Sequence, residues 1–390
     1  MQFRRLLFIV LALSLPGLPS TVLVLPFHNN SQYPDLNWVG EGVAETLLTE
    51  FAQGNQIVLG RASRAEALRR LSLRPDATYT KASLIRLGQS LDADFVCYGF
   101  YDAQLPAGAT ELKNSSVQLS AAFLDLRKLH DGPALSESGK LAELSRLEEH
   151  LAFAALKYLD PATGRQLDQF LAPAKLIRVE AQESYVRGLI SPSGDQQQKW
   201  FTQAAALDPH FSSPVFELGK LALQRKDNKQ AIAWLQRIKP GDPHYPEARF
   251  KMGLAAYAAA DYNAAVNYFR EVLKTYPLNE IYNNLGAAEA QLNQPAALGD
   301  LHRAVDGDPN DPAYLFNLGA ALLRNDRFEE AAKNLRALLD RNPDDEDARN
   351  LLDRAENHES VAANQPIAAR LKANFDEAAF RQLRDIVQRN

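Results

Sequence analysis

Apolar and polar positions alternate along this chain in two different rhythms, and the change of rhythm divides it. Between residues 21 and 160, short β-branched or leucine-rich runs alternate with stretches in which apolar residues recur every three or four positions. Residues 21–27, 55–59, 93–101 and 117–126 read as strands, the last with Val117, Leu119, Ala121 and Phe123 on one face. Residues 39–51 carry Val39, Val43, Leu47, Leu48 and Phe51 at helical spacing, and residues 64–71 and 81–91 also read as helices. Leu144, Leu147, Leu151, Ala154, Ala155 and Tyr158 make one stripe on a helix over 143–159. This order predicts an α/β domain.

From about residue 181 the period lengthens. Gly188, Gly219, Gly253, Gly286 and Gly319 recur, and Pro209, Pro243, Pro277, Pro309 and Pro343 keep step with them at spacings of 34, 34, 32 and 34. A glycine inside a helix costs roughly 1 kcal/mol against alanine. Its return at one register position needs a packing reason, and close contact between paired helices supplies one. Ala231, Ala265, Ala297 and Ala331 put a small side chain on each second helix where the first must cross. Leu235, Phe269, Leu301 and Leu335 stand four residues later on the same face, as large knobs filling the groove between hairpins. Each proline then ends a second helix, because it lacks an amide donor and disfavours helical geometry in the residue before it. The expectation is an array of helical hairpins.

This pattern resembles the tetratricopeptide repeat, with units at 212–245, 246–279, 279–311 and 312–345. An abbreviated fifth unit starts near Ala181, where Gly188 and Pro209 lie 21 residues apart against 24 in the full-length units. Glu289 stands where that family puts a large apolar or aromatic residue, so its unit is expected to pack less tightly. Asp344, Asp345, Glu346 and Asp347, ahead of Ala348, Leu351, Leu352 and Ala355, read as the acidic start of a capping helix that closes the array at 357. The oxygen spacing and central glycine of a calcium loop are missing there. The resemblance implies an all-α solenoid whose first helices line a concave groove for a protein or peptide partner. The matching positions include Phe216, Phe250, Leu254, Tyr257, Asn283, Phe316 and Leu323. Asn284 and Asn317, one unit apart in equivalent register, are placed to hydrogen-bond the backbone of an extended peptide. The alternative is that the asparagines are ordinary repeat residues and the aromatics are core. The lysines that clamp a terminal carboxylate in some chaperone-binding relatives are not at these positions, which disfavours that ligand.

Over residues 21–160 the motif order is similar to the amino-terminal domain of TolB and to TolB-like domains that precede such repeats. Val22-Leu23-Val24-Leu25-Pro26-Phe27, Asn29, Ser31, and Gly42 with Glu45 match its first strand, loop and helix. Residues 58–63 match the second strand and turn, Leu91-Asp92-Ala93-Asp94-Phe95-Val96 with Gly99 the central helix-to-strand passage, and 117–125 the strand ending in Leu124-Asp125. The family's short hairpin glycine after Asp125 is absent and Gly132 arrives late, which leaves the edge of the sheet open. The resemblance implies a mixed sheet used for assembly or sensing.

The two ends add separate layers. Arg4 and Arg5 precede an apolar stretch from 6 to 15 and then Pro16, Gly17, Pro19 and Ser20, the charge, core and break order of a secretory signal over 1–20. An uncleaved anchor is the other reading of that segment, and Leu18 makes the cleavage site a poor one. Residues 161–180 read as a linker. In the tail, 366–390, Phe375, Ala379, Phe380, Leu383, Ile386 and Val387 form a helical stripe opposed by Arg381, Arg384 and Arg389. It reads as an amphipathic helix docked on the solenoid, or alternatively one that lies on a membrane surface or binds a partner.

Composition removes several functions. The 390 residues are 46% hydrophobic and 23% charged, and a net charge of -5 gives no basic field for a phosphate backbone, so no nucleic acid is expected. Cys97 is the single cysteine and cannot form an intrachain disulfide. Gly40-Glu41-Gly42 lacks the third glycine of a dinucleotide loop, and Gly132 with Gly139-Lys140-Leu141 has neither the spacing nor the hydroxyl of a phosphate loop. No two of the seven histidines stand at i and i+4, and no glycine-flanked serine elbow occurs. No catalytic residue, metal or cofactor is expected. What remains is an exported, non-enzymatic interaction scaffold of the bacterial cell envelope, or alternatively a regulatory module whose α/β domain binds a small molecule.

Overall fold

The computed structural model describes residues 19–75, 77–161, 166–172, 176–362, 365–376 and 380, and the chain divides into two compact units between Arg187 and Gly188. The export signal read over 1–20 lies almost wholly outside the described residues.

The first unit is a mixed sheet with helices on both faces. Its strands are β1 (Thr21–Val24), β2 (His28–Asn29), β3 (Ile57–Leu59), β4 (Phe95–Gln104), β5 (Ser116–Asp125) and β6 (His130–Lys140). They run in the order β3-β1-β4-β5-β6, with β2 also beside β4. β1 is parallel to β3 and β4, while β4, β5 and β6 are antiparallel. Helices α1 (Trp38–Gln53), α2 (Arg61–Arg70), α3 (Lys81–Gln89) and α4 (Leu144–Leu159) cover it. Because successive strand side chains point to opposite faces, β1 feeds two cores at once. Val22 and Val24 pack with Val43, Leu47, Phe51 and Leu151 of α1 and α4, while Leu23 and Leu25 pack with Ala67, Leu68, Leu84 and Leu87 of α2 and α3. A strand buried on both sides reads as a continuous apolar run, as residues 21–27 do. β5 alternates instead: Val117, Leu119, Ala121 and Phe123 are buried, whereas Ser116 and Gln118 are exposed.

The open edge is filled by β6, a strand of polar residues paired along nearly all of β5. Its register slips opposite Phe123, where Gly132 and Pro133 together face one residue of β5. A proline sits in a sheet most easily at such a bulge. Glycine is required beside it, since a Cβ on Gly132 would lie 2.8 Å from Phe123 Cβ and 2.7 Å from the Tyr158 hydroxyl. Gly40 has a packing role too: Phe27 N–H donates to its carbonyl at 3.0 Å, and a Cβ there would come within 2.0 Å of the Phe27 oxygen. After α4, residues that read as linker form α5 (Leu167–Leu171) and the start of α6 (Val179–Ile190), and Val179 joins the core of α1 and α4.

The second unit is a succession of helical hairpins. They comprise α7 (Gly194–Leu207), α8 (Ser212–Gln224), α9 (Asn228–Leu235), α10 (Tyr245–Ala258), α11 (Tyr262–Leu273), α12 (Asn279–Gln291), α13 (Ala297–Gly307), α14 (Pro312–Arg324), α15 (Phe328–Leu339) and α16 (Glu346–Glu356). The recurring glycines seat the large knobs directly. A Cβ would lie 2.5 Å from Phe201 at Gly188, 2.5 Å from Leu235 at Gly219, 2.5 Å from Phe269 at Gly253, 2.7 Å from Leu301 at Gly286 and 2.8 Å from Leu335 at Gly319. The knobs therefore rest on the glycine inside each hairpin and do not only fill the space between hairpins. Within each full hairpin the turn carries one residue at positive φ, Lys226, Ala260, Asn293 and Asp326 in succession. Each closes the first helix with a paired motif, as where Ala260 N–H donates to Tyr257 and Asp261 N–H to Ala256, both at 2.9 Å.

The tail departs from the sequence reading. Residues 366–376 form neither helix nor strand, and of the expected helical stripe beyond them only Phe380 is described, in a helical conformation; 377–379 and 381–390 lie outside the described residues. Where that segment runs defines the candidate site.

Candidate functional site

First helices α10, α12 and α14 present one face to the segment 365–376, and the contacts repeat with the repeat. Numbering each unit from its start at 246, 279 or 312 places Phe250, Asn283 and Phe316 at the fifth position, Asn284 and Asn317 at the sixth, and Gln291 and Arg324 at the thirteenth. Three of these amides grip the tail backbone in the same way. Gln291 donates to the Ile367 carbonyl at 2.7 Å and accepts from the Ile367 N–H at 3.3 Å. Asn317 donates to the Arg370 carbonyl at 2.9 Å and accepts from its N–H at 2.7 Å. Asn284 donates to the Lys372 carbonyl at 2.8 Å and accepts from its N–H at 2.9 Å.

A primary amide carries a donor and an acceptor side by side, so it can offer an extended chain what a neighbouring strand would offer. Asn283 braces the set, donating to Asn284 Oδ1 at 3.1 Å and to the Arg370 carbonyl at 3.0 Å while accepting from Asn317 at 2.7 Å. With the tail in place Asn283 and Asn284 are 0% exposed and Asn317 3%. Buried amides without partners would each cost about 1–3 kcal/mol, so the arrangement is stable only with a main chain laid against it or with water admitted. Arg324 extends the ladder by donating to the Gln365 carbonyl, and Glu280 accepts from the Asp376 N–H at 3.2 Å. As the tail number rises from 365 to 376, the contacted position in the repeat falls from thirteenth to second. The segment therefore runs antiparallel to the first helices.

Side-chain pockets flank this ladder. The Arg370 guanidinium bridges both oxygens of Asp345 at 2.5 and 2.7 Å and lies over the Phe316 ring, 3.7 Å from its centroid. The Lys372 ammonium meets Asp311 Oδ2 at 2.5 Å above Tyr314, 5.2 Å from its ring centroid. Asp311 and Asp345 are also helix caps, each with Oδ1 accepting from the first-turn amides of α14 and α16. The hydrogen bonds from Arg370 hold the Asp345 carboxyl below its ordinary range, against the opposing effect of burial. Further along, Phe375 packs against Phe250 with ring centroids 5.5 Å apart and against Tyr276 at 5.4 Å, and Phe380 meets Tyr276 at 5.4 Å. At the other end Val361 and Ile367 are buried with Leu318, Leu322 and Ala355.

Of the residues singled out from sequence, the structure gathers Phe250, Asn283, Asn284, Phe316 and Asn317 directly on the tail. Tyr257 stands behind them, its hydroxyl accepting from Gln291 at 2.8 Å. Leu254 packs in the core of α10 and α11, Leu323 is fully buried, and Phe216 stacks on His244 at 4.6 Å, so these three support the repeats. Gln291, Arg324, Asp311, Asp345 and Glu280 had not been singled out as groove residues. Register would have found Gln291, which stands seven positions after Asn284 on the same face. Glu289 is buried and paired with Arg270 at 2.5 Å, so an ion pair fills the position where the resemblance puts a large apolar or aromatic residue.

In the sheet unit a cavity of about 780 Å³ opens over the exposed face of β4 and β5, lined by Phe27, His28, Tyr79, Tyr98, Phe100 and Gln118 among others. Elsewhere in that unit Glu148 is fully buried, accepting from Thr46 at 2.8 Å and Gln182 at 2.5 Å; burial raises its carboxyl to about 8. Among the described residues no group of three His, Cys, Asp or Glu is placed to hold a metal, and no helix is long and apolar enough to cross a membrane.

Comparison with known proteins assigns the class of the second unit. Residues 247–279, 293–346 and 316–360 match family models described as tetratricopeptide repeat, so this part of the chain is built of tetratricopeptide repeats. Two curated proteins named sperm-associated antigen 1, from Rattus norvegicus and Mus musculus, are each 30% identical over 96 residues, 24% of this chain. The chain spans 11% of the length of these relatives. Among solved structures, YrrB, titled a TPR protein with an unusual peptide-binding site, is 21% identical over 48% of this chain and 91% of its own, with a TM-score of 0.36. The C-terminal domain of LpoB from Salmonella enterica is 16% identical over 32% of this chain and 84% of its own, with a TM-score of 0.26.

Proposed function

We propose that this protein is an exported, non-enzymatic scaffold of the bacterial cell envelope that holds protein partners by an extended segment laid in the repeat groove. Tetratricopeptide repeats serve as protein-interaction scaffolds, and proteins that carry them bind protein or peptide partners. The observation that carries the reading is the amide ladder, in which Gln291, Asn317 and Asn284 each exchange both main-chain hydrogen bonds with one residue of an extended chain. Such a ladder recognises backbone, and the pockets beside it select side chains. Export is supported by the charge, apolar core and break pattern of residues 4–20, and a TolB-like identity for the sheet unit by its motif order. The test is capture of partners from envelope extracts by the purified chain against an Asn284→Ala, Asn317→Ala variant of unchanged helicity. Partners held by the native chain and lost by the variant support the groove; equal recovery by both overturns it.

A second reading is favoured by the cavity on the sheet unit, which combines apolar walls with the polar groups of His28, Gln118 and Tyr98. It makes that unit a small-molecule sensor. A thermal-shift screen of the full chain separates the readings, because a ligand that binds only the native state raises the melting temperature of the unit that holds it.

A further inference from the structure

The groove is already filled, and by this chain itself. We propose that residues 365–376 gate the groove in cis and display the chemistry of its external ligand, an extended segment with an aliphatic residue, an arginine three positions on, a lysine two further and an aromatic three beyond that. The inference rests on the groove being a peptide site, and deepens that reading by naming what the peptide must carry and what it must displace.

Several features separate this segment from an ordinary docked tail. Its main-chain bonds go to side chains of the repeats: Ile367, Arg370 and Lys372 each use both backbone groups on one amide of α12 or α14. Releasing it breaks no helix or sheet ladder, and both sides can take water or another main chain in exchange. The pockets are also built without it. Asp311 and Asp345 are held by their capping bonds to Ala313, Tyr314 and Ala348, so each carboxylate is aimed before a cation arrives and little ordering is needed on binding. The two cation pockets share one composition: the acidic cap of α16 with Phe316 of α14 encloses Arg370, and the acidic cap of α14 with Tyr314 of the same helix encloses Lys372. Charge complementarity runs along the segment, since Asp345, Asp347 and Asp311 face its basic side chains. Ala368, Ala373 and Asn374 between the anchors are exposed, which leaves those positions free to vary in a ligand.

Tethering sets the strength of the gate. Only residues 357–364 separate the end of α16 from Gln365, and joining a segment to its groove through so short a stretch of chain presents it at an effective concentration on the order of 1 mM. If the free segment bound at about 10 μM, an identical peptide in solution would bind the gated chain about a hundredfold more weakly than an open one.

The probe is a fluorescent peptide of residues 365–376, titrated into the full chain and into a full-length open variant, Arg370→Glu, Lys372→Glu, Phe375→Ala. We expect binding to the open variant, at least tenfold weaker binding to the native chain, and loss of binding when Asn284→Ala and Asn317→Ala are added to the open variant. A second route leaves the residues of segment 365–376 unchanged: a specific protease site is inserted after Ser360, and cutting should raise peptide affinity to that of the open variant. Equal affinity for native, cut and open chains overturns the gate while leaving capture of partners in the groove intact. An open and a cut chain that both ignore the peptide, yet still capture envelope partners through Asn284 and Asn317, overturn the ligand chemistry alone. Native chain that sediments as a dimer, and turns monomeric in the open variant, overturns gating in cis in favour of tails exchanged between copies.

Discussion

The two units bury polar side chains in opposite ways. In the sheet unit Glu148 is sealed among Thr46, Gln182 and apolar neighbours, and its partners are permanent parts of the fold. In the repeat unit Asn283, Asn284 and Asn317 are just as inaccessible, but what satisfies them is a terminal segment held by side-chain contacts. The lesson is that burial alone does not separate structural from functional polar groups. What separates them is whether the partner can leave.

The largest effect should come from the seats that build the array. Phe269→Ala, which empties the place over Gly253, should cost about 3–5 kcal/mol, read as an early transition of the repeat unit in urea with the sheet unit unchanged. An equal loss in both units would break the comparison. Asn317→Ala removes two bonds to Arg370 and one to Asn283, and should cost the tail's docking about 1–3 kcal/mol, seen as faster proteolysis between 360 and 376. Glu148→Gln probes the sealed case. Its folded carboxyl titrates near 8 against an ordinary 4.5, so the stability it contributes is full below 4.5 and is lost as pH rises toward 8. The native sheet unit should therefore be less stable at pH 8 than at pH 5, and the glutamine variant should flatten that slope and be the more stable of the two at pH 8. Asp345 carries the opposite sign: its depressed carboxyl holds the tail above the ordinary range of aspartate and lets go as pH falls through its folded value. The smallest effect is expected at the turns, where Ala260→Gly at φ 58° should add about 0.5–1 kcal/mol in thermal melts.

Much of the repeat unit was legible because its constraint is geometric and recurs: a glycine that must admit a knob leaves a periodic mark. Asn284 and Asn317 were legible from register for the same reason. Asp311 and Asp345 were not, since a capping aspartate looks the same whether or not its second oxygen holds a cation. Only the start of the tail, residues 366–376, departs from the helical reading: Phe375 falls at helical spacing with Ala379 and Phe380, while the groove offers 366–376 more than a helix would, through amides far away in sequence. β6 escaped notice as an edge strand, whose polar run His130–Lys140 carries Gly132 and Pro133 where hydrophobic alternation would be the signal.

The most direct measurement is amide hydrogen exchange over residues 365–376 of the intact chain. The expected result is protection at Ile367, Arg370 and Lys372, abolished by Asn284→Ala with Asn317→Ala while the helices of the repeats stay protected. Exchange of those three amides at the rate of an unfolded peptide in the native chain would contradict a groove that grips its own tail.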